Sequence, residues 1–228
     1  MEPPRWLDAL ERRFGGWAVP HLTKVLILFN ILTFFLIGSD STQSFVGDLL
    51  LLPEFFLAGQ FWRAITFLFV VSPNASLGVG TFFFFVMMMF FWFIGGALEE
   101  TWGAFKLNVY IILSVLGVII AIFALGPAIP FLIDSQWIFN SLLIAFGTLY
   151  PRYELRLLFI PFPIYAKWIS ILTAGFLFME CVQIPAKTPF ILGAMLGYFV
   201  VIGPAFWKDY KLRKGSQERM KRFRGEDD

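Results

Sequence analysis

Three groups of side chains in this 228-residue chain have the types and spacing to do chemistry. Trp62-Arg63 sets a permanent cation beside a large ring, able to hold a peptide carbonyl or a lipid phosphate. Glu99, with Glu100 beside it, closes the apolar run that ends Gly95-Gly96-Ala97-Leu98. At membrane depth such a pair would serve a proton relay only if ionisable residues continued across, and none do. Asp134, Gln136, Asn140 and Ser141 form a polar ladder over two helical turns, with Ser135 inside it. The ladder offers hydroxyls for nucleophilic attack, part of a polar path, or the lining of a small wet cavity. Each group also has a plainer reading, and that reading is preferred. Arg63 would anchor a loop at headgroup level with Trp62 in the interfacial aromatic belt. Glu99 would tie the first loop to the bundle, and the ladder would hydrogen-bond between helices.

A serine nucleophile needs a base within hydrogen-bond reach. The one histidine, His21, precedes the first apolar run, and Lys167 and Lys187 fall outside the interior of the fourth. The one cysteine, Cys181, excludes an internal disulfide and a cysteine-built metal site. No metal or cofactor is expected.

These groups must be positioned by membrane helices. The chain is 58% hydrophobic and 15% charged, with thirty phenylalanines and a mean hydropathy of +0.75, values of the membrane class. A net charge of +2 gives no basic surface for nucleic acid. Apolar runs at about 22–38, 77–98, 104–125, 131–149, 164–182 and 190–206 predict six spans. The shortest, at seventeen residues, reach roughly 25 Å against a hydrocarbon core of about 30 Å, so local bilayer thinning is expected. Phe61–Val71 is too short to cross and reads as a re-entrant or interfacial element. With both termini cytoplasmic, only Arg63 and Lys187 of the eighteen Lys and Arg fall outside, a strong orientation bias. The expected divisions are a 1–20 amphipathic surface segment, a 21–207 membrane domain and a basic 208–228 tail. In the first, Trp6, Leu7, Leu10 and Phe14 share a face at helical spacing. The Phe/Met-rich run Phe82–Phe93 would face lipid or offer an adaptable surface to transmembrane segments.

Three motifs in order carry a family resemblance. Gly59-Gln60-Phe61-Trp62-Arg63-Ala64-Ile65-Thr66 resembles the G-Q-x-W-R-x-x-T stretch in the first loop of rhomboid-family proteins. Gly95-Gly96-Ala97-Leu98-Glu99, followed by Trp102-Gly103, is similar to that family's G-x-x-L-E-x-x-x-G ending of the second span. Phe159-Ile160-Pro161-Phe162-Pro163-Ile164-Tyr165-Ala166-Lys167-Trp168 resembles the bacterial F-I-P-x-P-I-x-A-K-W connection between the fourth and fifth spans. The resemblance implies an all-α, six-transmembrane-helix bundle with a structured first loop, in a bacterial inner membrane. It also implies a glycine strip on the sixth span, Gly193 and Gly197, approached by the fourth.

The departures decide what the resemblance implies about chemistry. The family's nucleophile position in G-x-S-G falls on Gln136, its general base on Phe190, and its H-x-x-x-N oxyanion pair on Phe83 and Met87. None of these can perform the step. The expectation is a pseudoprotease, derlin-like, that binds, holds or dislocates transmembrane clients by lateral access to its helices. A residual serine hydrolase acting through Ser135 or Ser141, and a small transporter or channel, are the alternatives.

Overall fold

A computed structural model describes residues 4–37, 47–71, 79–125, 132–155, 164–207 and 211. The remaining tail residues, loop segments 38–46 and 72–78, and residues 156–163 of the fourth-to-fifth connection lie outside the described residues. In chain order the helices begin with α1 (Arg5–Phe14), a 3₁₀ turn Gly15–Trp17, and α2 (Leu22–Ile37). Short helices α3 (Pro53–Leu57) and α4 (Arg63–Thr66) follow, the latter running into a 3₁₀ turn Phe67–Phe69. Then come α5 (Val79–Trp102), α6 (Ala104–Leu125) and α7 (Gln136–Leu149). A two-strand ribbon, β1 (Glu154–Leu155) with β2 (Ile164–Tyr165), leads to α8 (Ala166–Gln183), α9 (Thr188–Ala194) and α10 (Leu196–Val201).

The protein is therefore mostly helical and its long helices are apolar. Gly80–Trp102 and Ala104–Leu125 are each long and apolar enough to cross a membrane. Counting each of two bent helix pairs as one span gives four.

Close approaches through glycines assemble the bundle. Gly95 of α5 lies against Thr23 of α2, Gly117 of α6 against Gly193 of α9, and Gly147 of α7 against Ser170 and Ala166 of α8. Side-chain pairs further along show that α2 and α5 run antiparallel, with Phe34 stacked on Phe84 at 4.3 Å. α7 lies at the centre, buried from Trp137 to Gly147 except at Asn140. α8 is peripheral, with only Ala166, Ser170 and Leu177 buried. The whole link between α5 and α6 is Gly103 at φ +84°, a left-handed conformation that disfavours any side chain.

Two apolar runs fold differently from the continuous helices expected. The run 131–149 becomes helical only at Gln136. Ahead of it Ile133 pairs with Leu51, accepting from its N–H at 3.2 Å and donating back at 3.0 Å. Asp134 then caps the helix, its Oδ1 accepting from the Gln136 N–H at 2.8 Å. The run 190–206 is broken at Met195 between α9 and α10, and residues 203–207 form a further helical turn. Hydrogen bonds from Met195 N–H to the Ile191 carbonyl and from Phe199 N–H to Met195, both 3.0 Å, cross the break, so it is a bend. Phe61–Val71 folds as short turns, held to α2 by Asn30, whose side-chain amide donates to the Leu68 carbonyl at 2.9 Å.

Candidate functional site

The N-terminal end of α7 gathers most of the polar groups singled out in the sequence. Ser135 is fully buried; its hydroxyl donates to the Val70 carbonyl at 2.9 Å and its N–H to the same oxygen at 3.0 Å. It clips the first loop to the start of α7. Ser141, also fully buried, accepts from the Tyr110 hydroxyl at 3.0 Å and donates to the Ile138 carbonyl at 2.9 Å. Gln136 is exposed and Asn140 half-buried. The ladder therefore does not line one cavity: it divides between a cap, an outward amide and a buried interhelical bond.

His21 sits at the opposite end of the bundle. α5 and α7 run parallel, with Phe91 beside Phe139 at 4.8 Å and Thr101 bonded to Tyr150. That places Ser135 near the level of Met87, and Glu99, the partner of His21, roughly 18 Å further along at 1.5 Å per residue.

The four positions assigned to lost catalytic groups do not converge. Phe190 is buried and stacks on Trp137 at 6.5 Å. Gln136, Phe83 and Met87 face outward, the last two 63% and 38% exposed. Their neighbours Trp137, Phe84 and Met88 are the buried ones. A one-residue step turns a helical side chain by about 100°, which separates the exposed Gln136, Phe83 and Met87 from these buried neighbours. None of the inward residues carries a hydroxyl, imidazole or amide either.

Arg63 is 2% exposed, so its guanidinium is engaged by the protein and not by solvent or a ligand. Its guanidinium donates to the carbonyls of Gly47 and Leu50 at 2.8 and 2.6 Å, to Gln60 Oε1 at 2.6 Å and to Asp48 at 3.2 Å. It is the interior brace of the first loop. Trp62, by contrast, is 56% exposed, beside the exposed Phe61 and Ile65.

Among the described residues Glu99 pairs with His21 and not with the first loop. It accepts from the His21 N–H at 2.7 Å and lies 3.3 Å from the ring Nδ1, so it fixes the junction where α1 turns into α2. His21 adopts φ +56° there. Gly193 and Gly197 meet α6, not α7: a β-carbon on Gly197 would lie 2.5 Å from the Tyr110 carbonyl. Of Gly95 and Gly96, only Gly95 lies against a neighbour.

Sequence reasoning missed a polar triad at the C-terminal end of α8. Glu180 accepts from the Trp137 indole N–H at 3.1 Å and from Lys187 Nζ at 2.7 Å. The Lys187 ammonium also lies 5.9 Å from the Trp137 ring centroid. Three helical segments thus meet at one carboxylate. The available signal was Glu180 itself, an acidic residue late in an apolar run, which requires a partner.

No family model, curated protein or solved structure matches this chain, so the family resemblance rests on the quoted motifs alone.

Proposed function

We propose that this chain is a proteolytically inactive, rhomboid-like protein that crosses the membrane six times with both termini cytoplasmic. It binds, holds or dislocates membrane-protein segments that enter laterally between its helices. The observation that carries the reading is the occupation of both candidate serines. Ser135 and Ser141 are fully buried and bonded to Val70 and to Tyr110 and Ile138, with the only histidine at the far end of the bundle. A buried hydroxyl with no base in reach is not a nucleophile.

Lateral access is supported by α8. Its exposed Ile171, Leu172, Phe176 and Phe178 cover most of its surface. It is seated on α7 at Gly147–Ser170, where the Ser170 hydroxyl also donates to the Leu143 carbonyl at 2.9 Å, and at Trp137–Glu180, while the rest of its surface stays open to an incoming segment. α7, at 14 residues, is about 21 Å long, which favours a thinned bilayer around the bundle.

The test pairs two measurements on the full-length protein in membranes. A photo-reactive residue at Phe85 or Trp62 is expected to crosslink to transmembrane proteins. A serine-reactive fluorophosphonate is expected to leave the protein unlabelled. Labelling that Ser141→Ala or Ser135→Ala abolishes would replace this reading with a hydrolase.

A further inference from the structure

The N-terminal helix sorts its charges by sign. Leu7 of α1 is fully buried against the bundle. Asp8 and Glu11 turn to Lys106 at the start of α6, at 2.6 and 3.4 Å, and that lysine side chain is only 13% exposed. Lys106 thus offsets one of the two negative charges of α1 and draws both carboxylates toward α6. Arg12 and Arg13, in the last turn, are exposed, with the Arg13 guanidinium 5.4 Å from the Phe14 ring centroid. The remaining face carries Trp6, Leu10 and Phe14, continued by Trp17, which is 87% exposed.

From this arrangement we infer that α1 and its following turn dock onto an acidic lipid surface. The aromatic face beds at the headgroup boundary of the cytoplasmic leaflet, and Arg12 and Arg13 bind the phosphates of anionic headgroups. A tryptophan this exposed, next to an apolar bundle surface, fits the interfacial zone where an indole ring is half wetted. Arginine suits the ligand because its planar fork pairs with phosphate oxygens. Without Lys106, Asp8 and Glu11 would repel the same headgroups. With it, the outward charge of the helix is positive. Lys24 extends the basic border, its ammonium 5.5 Å from the Trp92 ring centroid at the same end of the bundle. The inference requires membrane embedding and is independent of client binding.

The test uses the full-length protein with Cys181→Ser and Leu10→Cys, labelled with an environment-sensitive fluorophore. It is reconstituted in vesicles of phosphatidylcholine alone or of an equal mixture with phosphatidylglycerol. In the mixed vesicles the probe is expected to shift to the blue and to resist an aqueous quencher. Adding Arg12→Gln and Arg13→Gln is expected to weaken the docked state roughly thirtyfold, about five- to sixfold per basic residue. High salt should act in the same direction. Intact Trp62 accessibility, probed separately on the other side, reports that the double variant is folded. Equal probe burial in both vesicle types, with or without the arginines, overturns the inference. So does burial that follows protein density and not lipid charge, which would assign the face to a second copy of the chain.

Discussion

Gly117 and Gly193 meet backbone to backbone: a β-carbon on either would press on the carbonyl group of the other. No rotamer change relieves such a clash, so Gly117→Val or Gly193→Val must push α6 and α9 apart. The expected loss is about 3 kcal/mol, read as a lowered thermal midpoint in detergent. Gly175→Ala in α8, where nothing lies within 4 Å, should stay within about 0.5 kcal/mol of the parent.

Arg63 and Asp48 form an ion pair whose halves are not equivalent. The arginine side chain is 3% exposed and the aspartate 74%. Arg63→Lys removes the planar fork that reaches Gly47, Leu50 and Gln60 together, and lysine cannot replace it. Protease cutting within 47–71 is expected to accelerate strongly, with about 3 kcal/mol lost locally. Asp48→Asn is expected to change the cutting rate little.

Cys181 is the chain's only cysteine and is half-buried beside Glu180, so it reports on the triad without engineering. Glu180→Ala removes the acceptor shared by Trp137 and Lys187. Alkylation of Cys181 by a maleimide is expected to run about tenfold faster, the equivalent of ~1.4 kcal/mol. An unchanged rate would mean that Trp137–Glu180 does not hold α8 in place.

Gln136→Ser alone is expected to yield no peptide cleavage and no fluorophosphonate adduct. The new hydroxyl would point away from the bundle, and Phe190 is no base. Ser135→Ala should cost about 1 kcal/mol through loss of the bond to Val70, with no catalytic readout to lose. Cleavage by Gln136→Ser would show that position 136 faces a working site after all.

His21 holds a left-handed backbone that costs about 1 kcal/mol outside glycine. Its ring is 63% exposed and contributes little to Glu99 at 3.3 Å. His21→Gly keeps the 2.7 Å backbone bond and is expected to raise the thermal midpoint. Glu99→Ala, which deletes the acceptor, should lower it.

How much was legible depended on which physical property each residue reported. Apolar runs marked where helices lie, because burial or lipid contact fixes composition over many residues. They did not mark where helices begin. Ile133 is as apolar as its neighbours yet pairs with Leu51, a partner far away in sequence. Glycine spacing announced a close approach in the last run without naming α6 as the visitor. Arg63 was read as a loop anchor, but two of its four acceptors are backbone carbonyls, and every residue has one. The ladder divided by angle: neighbouring helical positions such as Gln136 and Trp137, or Met87 and Met88, differ from exposed to buried. Motif counting along a line does not resolve that difference. Glu180 was legible and overlooked.

The bond between Lys106 and the two acids of α1 also sets an order of assembly. α1 is synthesised ahead of its counter-ion, which arrives only after α2, the first loop, all of α5 and the turn at Gly103 have been made. Until then Asp8 and Glu11 stay hydrated and Leu7 has no seat. α1 therefore settles only after α5 has been made. A chain truncated before Lys106 would leave α1 exposed to proteases, making the seating of α1 a built-in report that the first half of the bundle is complete.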